Sequence, residues 1–158
     1  MSSAMCVARM ARQRAGSTMG RLEFELMERS MPKTILAVDD SASMRQMIAV
    51  TLREAGYDVV EAADGAEALE YARKHRVDLV LADVNMPNMD GIMLIAHLRT
   101  LPAYRLTPLL LLTTESSQER KLQGKQAGAT GWMLKPFNPT QLLATLERVL
   151  GNGATVSA

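Results

Sequence analysis

Three carboxylates, a hydroxyl and an ammonium group each follow a short apolar run in this chain. Asp39 and Asp40 follow Ile35-Leu36-Ala37-Val38, and Asp83 follows Leu79-Val80-Leu81-Ala82. Thr113 follows Leu109-Leu110-Leu111-Leu112, and Lys135 follows Trp132-Met133-Leu134. If the runs lie side by side, these polar groups meet. Clustered carboxylates repel, and leaving all of them ionised without a cation is unfavourable. A hard divalent cation resolves this, since Mg2+ takes one or two carboxylates, a carbonyl and several waters at about 2.0–2.1 Å. The natural next ligand is a phosphate oxygen. A carboxylate can itself attack phosphorus to give an aspartyl-phosphate. Such a transfer depends mainly on positioning and charge neutralisation, which a metal and a lysine supply.

The elements that must position these groups are readable in order. A short continuous apolar run is the signature of a strand buried on both faces. Pro87, with no N–H to donate, cannot extend the run before Asp83, so Asp83 stands where a central strand gives way to a loop. After Asp40, the residues Met44, Met47, Ile48, Thr51, Leu52 and Ala55 recur at helical spacing, and Gly56 stands where a helix ends. Tyr57 to Ala62 reads as a second strand. Asp64 and Glu67 have the spacing of a capping box for a second helix, which Arg73, Lys74 and Arg76 close. Gly91 starts a helix striped by Leu94, Ile95, Leu98 and Leu101 and stopped by Pro102. Pro108 to Leu112 and Gly131 to Leu134 are further strands. Between them Ser116 and Glu119 suggest a capping box for a weak helix, whose only large apolar residue is Leu122 and which Gly128 ends. Asn138, Pro139 and Gln141 open the last helix as N-cap, first-turn proline and capping glutamine. Leu142, Leu143, Leu146, Val149 and Leu150 give it a wide apolar face.

Strand and helix alternate five times with short connections. That order implies an α/β fold, a (βα)5 doubly wound parallel five-stranded sheet with helices on both faces. All strand C-termini then share one edge, where ligands and chemistry collect in open parallel sheets.

Bulk properties bound the function. At 158 residues, 47% hydrophobic and 22% charged, the chain suffices for one domain with a real core. A formal net charge of +1 gives no field that points to nucleic acid or to a membrane surface. The single cysteine, Cys6, has no intramolecular partner, which fits a reducing cytoplasm. No apolar run approaches the roughly 18 residues of a membrane span. Residues 1–31 read as an N-terminal extension, either a disordered tail or a mis-assigned start with translation beginning at Met31. Arg9, Arg12 and Arg14 are not followed by the apolar region of a secretory signal. Residues 32–150 form the organised domain, and residues 151–158 a short polar tail.

The stretches Val38-Asp39-Asp40-Ser41, Asp83-Val84-Asn85-Met86-Pro87-Asn88-Met89-Asp90-Gly91, Thr113 and Lys135-Pro136-Phe137 resemble, together and in this order, the signature of response-regulator receiver domains. The similarity covers about Lys33 to Leu150 and is closest to the stand-alone, CheY-like chemotaxis type. It implies a flavodoxin-like strand order of 2-1-3-4-5, for which CheY is itself a type example. It implies that Asp83 accepts a phosphoryl group from a CheA-like histidine kinase. By the same resemblance Asp40, Asp83 and the backbone carbonyl of Asn85 bind Mg2+ directly, and Asp39 binds it through water. Lys135 contacts the phosphoryl oxygens, and its bond to Pro136 is cis. Thr113 and the aromatic switch residue, here Trp132 where tyrosine or phenylalanine is usual, carry the change outward. Asn85 and Glu115 stand where the family tunes phosphoryl lifetime.

The function implied is that of a two-component signalling module, not a classical enzyme, with self-phosphorylation and autodephosphorylation as its only chemistry. No helix-turn-helix or enzyme domain follows Leu150 within the sequence, so output is expected through a protein partner: the flagellar motor switch, or another effector if the chain is a phosphorelay intermediate, a phosphate sink or a type IV pilus regulator. A phosphatase partner and a monomeric state are further expectations. A small-substrate phosphatase or an FMN-binding protein is the alternative of another class. Asp39-Asp40 lacks the D-x-D spacing of an aspartate-nucleophile phosphatase, and no Ser/Thr/Gly-rich phosphate loop follows the first strand. Trp132 is equally open to a plain core role. His75 and His97 read as ordinary surface residues, and Arg120, Lys121 and Lys125 as a solvated face.

Overall fold

The computed structural model describes residues 20–23, 26, 32–114 and 117–151. The chain divides into two compact units, Met1–Lys33 and Thr34–Ala158. In the first, residues 21–23 and 26 are helical. Cys6, the arginines before residue 20, Met31, Glu115, Ser116 and the tail from residue 152 lie outside the described residues.

The second unit runs β1 (Thr34–Val38), α1 (Ala42–Glu54), β2 (Asp58–Ala62), α2 (Gly65–Lys74), β3 (Leu79–Asp83), α3 (Gly91–Arg99), a 3-10 turn (Pro102–Tyr104), β4 (Leu109–Thr113), α4 (Gln118–Ala127), β5 (Gly131–Leu134) and α5 (Pro139–Gly151). The five strands are parallel in the order β2-β1-β3-β4-β5, the flavodoxin-like order the sequence implies. β3 is central, and every residue in it is buried. Its continuous apolar run is what a strand covered on both faces requires.

Strand alternation divides the core into two layers. Leu36, Val38, Val80, Ala82, Leu109 and Leu111 face one side, against Ala68, Leu69 and Ala72 of α2 and Leu94, Ile95 and Leu98 of α3. Ile35, Ala37, Leu79, Leu81, Leu110, Leu112 and Met133 face the other, against Ile48 and Leu52 of α1 and Leu142, Leu146 and Val149 of α5. Each fully buried leucine or isoleucine here contributes about 1.5–3 kcal/mol relative to exposure. Tyr104 is buried on the first side, and its hydroxyl meets the carbonyls of Ala72 and His75 at 2.9 and 2.7 Å, closing the end of α2. His75 and His97 are both exposed, and the His75 ring stacks on Tyr71.

Helix starts follow the sequence with local differences. Asn138 and Gln141 form the reciprocal capping box at α5, with N–H to side-chain oxygen distances of 2.8 and 3.0 Å. Asp64 accepts from the Glu67 N–H at 2.8 Å, but Glu67 reaches back to the N–H of Ala63 instead of that of Asp64. The cap of α4 is Ser117, one residue later than the Ser116 expected, and it accepts from the Arg120 N–H. Leu122 is 55% exposed and makes no core face. The only buried residue of α4 is Gly124. A glycine at that interior position costs about 1 kcal/mol of helix propensity relative to alanine.

Candidate functional site

The parallel register brings the strand ends together. Val38 lies opposite Ala82, so Asp39 and Asp83 each follow a matched pair. Asp83 lies opposite Leu112, and Thr113 opposite Leu134, which puts Lys135 one residue beyond the edge. The N–H of Lys135 donates to the carbonyl of Thr113 at 2.8 Å, continuing the ladder past the last strand residue.

One carboxylate oxygen from each of Asp39, Asp40 and Asp83 lies within 4.8 Å of the others. Asp39 is 1% exposed and Asp83 6%, whereas Asp40 is exposed. Lys135 Nζ bridges the two buried acids, 3.1 Å from Asp39 Oδ2 and 3.3 Å from Asp83 Oδ2. The second oxygen of each acid is held by backbone. Ser41 N–H donates to Asp39 Oδ1 at 2.9 Å, and Asn85 N–H donates to Asp83 Oδ1 at 3.2 Å. Burial raises the Asp83 carboxyl above the ordinary carboxylate range, Lys135 opposes this, the neighbouring Asp39 adds to it, and the Asn85 N–H opposes it.

Three carboxylates against one ammonium leave surplus negative charge at a site with oxygen donors and one exposed acid. That donor set fits a hard divalent cation and not a soft one. Asp39, Asp40, Asp83 and Lys135, drawn from four separate stretches of sequence, are thus brought together. Asn85 is an exposed residue next to the cluster in sequence, tied to it through its N–H. Thr113 is wholly buried at the end of β4. Leu111 is opposite Trp132 in register, so Thr113 and Trp132 share a face of the sheet, two positions apart along the strands. Trp132 is partly buried against the first core layer. The Lys135–Pro136 bond is cis. Glu115 lies outside the described residues.

Two supporting residues escape sequence reasoning. Arg45 Nη1 donates to the backbone carbonyl of Asp39 at 2.6 Å, and its Nε lies 3.6 Å from Glu61. Its only signal is a cation one turn into the helix that follows the acidic pair. Gly91 admits close backbone approach, because a Cβ there would collide with the carbonyl oxygen of Asp83. Its N–H donates to the carbonyl of Val84 at 3.1 Å, folding the loop after β3 back onto the start of α3. A glycine directly after the capping Asp90 is the trace of this in the sequence.

Comparison with known proteins agrees with this geometry. The response regulator receiver domain family matches residues 35–147. A chemotaxis protein CheY homolog of Campylobacter jejuni is 38% identical over 122 residues, 76% of this chain and 94% of that protein. The alkaline phosphatase synthesis transcriptional regulatory protein PhoP of Bacillus subtilis is 38% identical over 120 residues, 76% of this chain, and the match spans only about half (49%) of that relative's length. Among solved structures, chemotaxis protein CheY4 of Vibrio cholerae is similar with a TM-score of 0.74 and 55% identity, covering 75% of this chain and 99% of that one. The receiver domain of the sensor histidine kinase PA1611 of Pseudomonas aeruginosa, with a magnesium ion coordinated in its active-site cleft, has a TM-score of 0.71 and 32% identity over 76% of this chain and 98% of that one. With the strand order, the family match and these likenesses in agreement, the chain belongs to the response regulator receiver domain family and is of the CheY-like kind.

Proposed function

We propose that this receiver is switched by phosphorylation of Asp83, with a histidine kinase as donor. The observation that carries the reading is the Lys135 ammonium held at 3.1 and 3.3 Å between two buried acids beside a third. In the transfer, an Asp83 carboxylate oxygen forms the bond to phosphorus. The P–N bond to the donor imidazole breaks, and its electron pair returns to the imidazole nitrogen. Lys135 holds the phosphoryl oxygens. Asp40, Asp83 and the Asn85 carbonyl hold Mg2+, with Asp39 acting through water. When bound there, the cation neutralises the carboxylates and the phosphoryl oxygens that join them. Thr113 and Trp132, on one face of the sheet, form the route by which the new charge is felt at the surface. Asn85 and Glu115 tune the lifetime of the phosphoryl group. Hydrolysis of the aspartyl-phosphate, by the receiver itself or with a phosphatase partner, resets the switch.

For output we propose chemotaxis, with a CheA-like kinase and the flagellar motor switch as partners and a monomeric, cytoplasmic receiver. The 55% identity to CheY4 across 99% of that chain supports this. No helix among the described residues is long and apolar enough to cross a membrane. The equal 38% identity to PhoP supports a second reading, the same receiver chemistry serving another effector, such as a phosphorelay step, a phosphate sink or type IV pilus control. Incubation with acetyl phosphate and Mg2+ should add one phosphoryl group to the intact mass, absent with chelator and absent in Asp83→Asn. An unmodified wild-type protein, or equal labelling of the variant, contradicts the assignment. Swimming behaviour of cells carrying Asp83→Asn separates the two outputs, because only the chemotaxis reading requires it to change.

A further inference from the structure

Gly124 lies well inside α4, with no left-handed backbone angle to call for a glycine. It is nevertheless the one residue by which this helix meets the core. The reason lies across the gap to the sheet. A Cβ built on Gly124 would collide with Cζ2 of Trp132, and would come within 3.0 Å of Trp132 Cη2 and of Leu111 Cδ1. The benzo edge of the indole therefore rests on bare backbone of α4, with Leu111 beside it. Leu111 is the register partner of Trp132 on β4, so helix, β4 and β5 all meet at this one point.

We infer that Gly124 is a positioning residue for Trp132: its missing side chain forms the seat that holds the indole in place and attaches α4 to the sheet. A tryptophan here and a glycine there are a matched pair. A smaller ring would not reach the seat, and a larger helix residue would expel the indole. The remaining side chains of α4 do not share the task, since Leu122 is exposed and no other residue of the helix is buried. The indole cannot leave the seat without α4 losing its only core contact. Any shift of Trp132 driven from the Asp83 end of the sheet is thereby converted into a shift of α4. The coupling to Asp83 rests on the phosphoacceptor reading above; the seat itself does not.

The test reverses the sign of one substitution. On helix propensity alone, Gly124→Ala stabilises a helix interior. With Trp132 in place the added methyl overpacks the contact, and the melting temperature is expected to fall by about 5 °C or more. The emission of Trp132 is expected to move to longer wavelength as the indole is pushed toward water. In a Trp132→Phe background, which lacks the benzo edge, Gly124→Ala is expected to raise the melting temperature by about 2 °C or more. Gly124→Ala that is neutral or stabilising with Trp132 present overturns the seat, as does equal destabilisation in both backgrounds.

For the coupling, wild type with Mg2+ and beryllofluoride, a phosphoryl mimic, is expected to change Trp132 emission. Gly124→Ala is expected to lose most of that change while still binding the mimic, read as its bound fluorine NMR signal. Bound mimic with unchanged emission in wild type, or a full response in Gly124→Ala, overturns the coupling. No bound signal in wild type overturns the phosphoacceptor reading and the coupling built on it, and leaves the seat to stand or fall on the sign reversal.

Discussion

Helices α4 and α5 follow adjacent strands but are attached to the sheet by different means. α5 buries Leu142, Leu146 and Val149 against α1 and the sheet, and begins in a reciprocal capping box. α4 buries only a glycine, leaves its one leucine 55% exposed, and begins at a serine cap whose hydrogen bond is 3.3 Å long. At about 1.5–3 kcal/mol per fully buried leucine, α5 is held several kcal/mol more firmly than α4. The loosely held helix is the one that follows Thr113 and lies against Trp132. Elements that move in signalling are drawn from the low-stability end of a fold. The contrast thus locates the responsive part of the molecule in α4 and the fixed frame in α5.

Substitutions can break or sharpen this contrast. The largest effect is expected at Leu142, which is fully buried: Leu142→Ala should lower the free energy of unfolding by about 2–5 kcal/mol, measured by urea denaturation. A loss below about 1 kcal/mol would mean that α5 is no better anchored than α4.

A smaller effect, of opposite sign, is expected at Asp83, which tests the site without touching either helix. Its folded-state pKa is raised, chiefly by burial. The folded protein therefore holds the proton more tightly than the unfolded chain. The stability this gives is fully present below the unfolded carboxylate pKa and is lost as pH rises through the folded value. At neutral pH, with chelator present, Asp83→Asn should melt above wild type, and the difference should shrink as pH falls into the carboxylate range. A less stable variant at neutral pH would show that the attraction of Lys135 outweighs burial.

The smallest effect is expected on α4. Leu122→Ser should change stability by no more than about 0.5 kcal/mol, because the side chain is already exposed. A loss above about 2 kcal/mol would place Leu122 in the core and remove the contrast between the helices.

The sheet was legible because four of its strands are apolar runs that end on a polar residue, and a run buried on both faces leaves no ambiguity of register with solvent. β3 and β4 bear this out residue by residue, from Leu79–Asp83 and Leu109–Thr113. The convergence of Asp39, Asp40, Asp83 and Lys135 followed from parallel strands sharing one edge. α4 was less legible for a physical reason. Without an apolar stripe, nothing in its sequence fixes which face turns inward, so neither the cap at Ser117 nor the exposure of Leu122 could be read. Gly124 was hidden because its partner, Trp132, is distant in sequence and the contact is with a missing side chain. Arg99 was hidden likewise: its guanidinium donates to the carbonyls of Gly128 and Thr107 at 2.9 and 2.8 Å, a tie between the end of α3, the start of β4 and the end of α4 that no local pattern signals.

The most direct test of the contrast, and of the switch built on it, is peptide-resolved amide hydrogen exchange of the whole chain with Mg2+, with and without acetyl phosphate. The expected result is a change in exchange across residues 118–127 with residues 139–151 unaltered, and no change in either segment for Asp83→Asn. An equal response in both helices, or a response confined to α5, would contradict the assignment of α4 as the element that Asp83 moves.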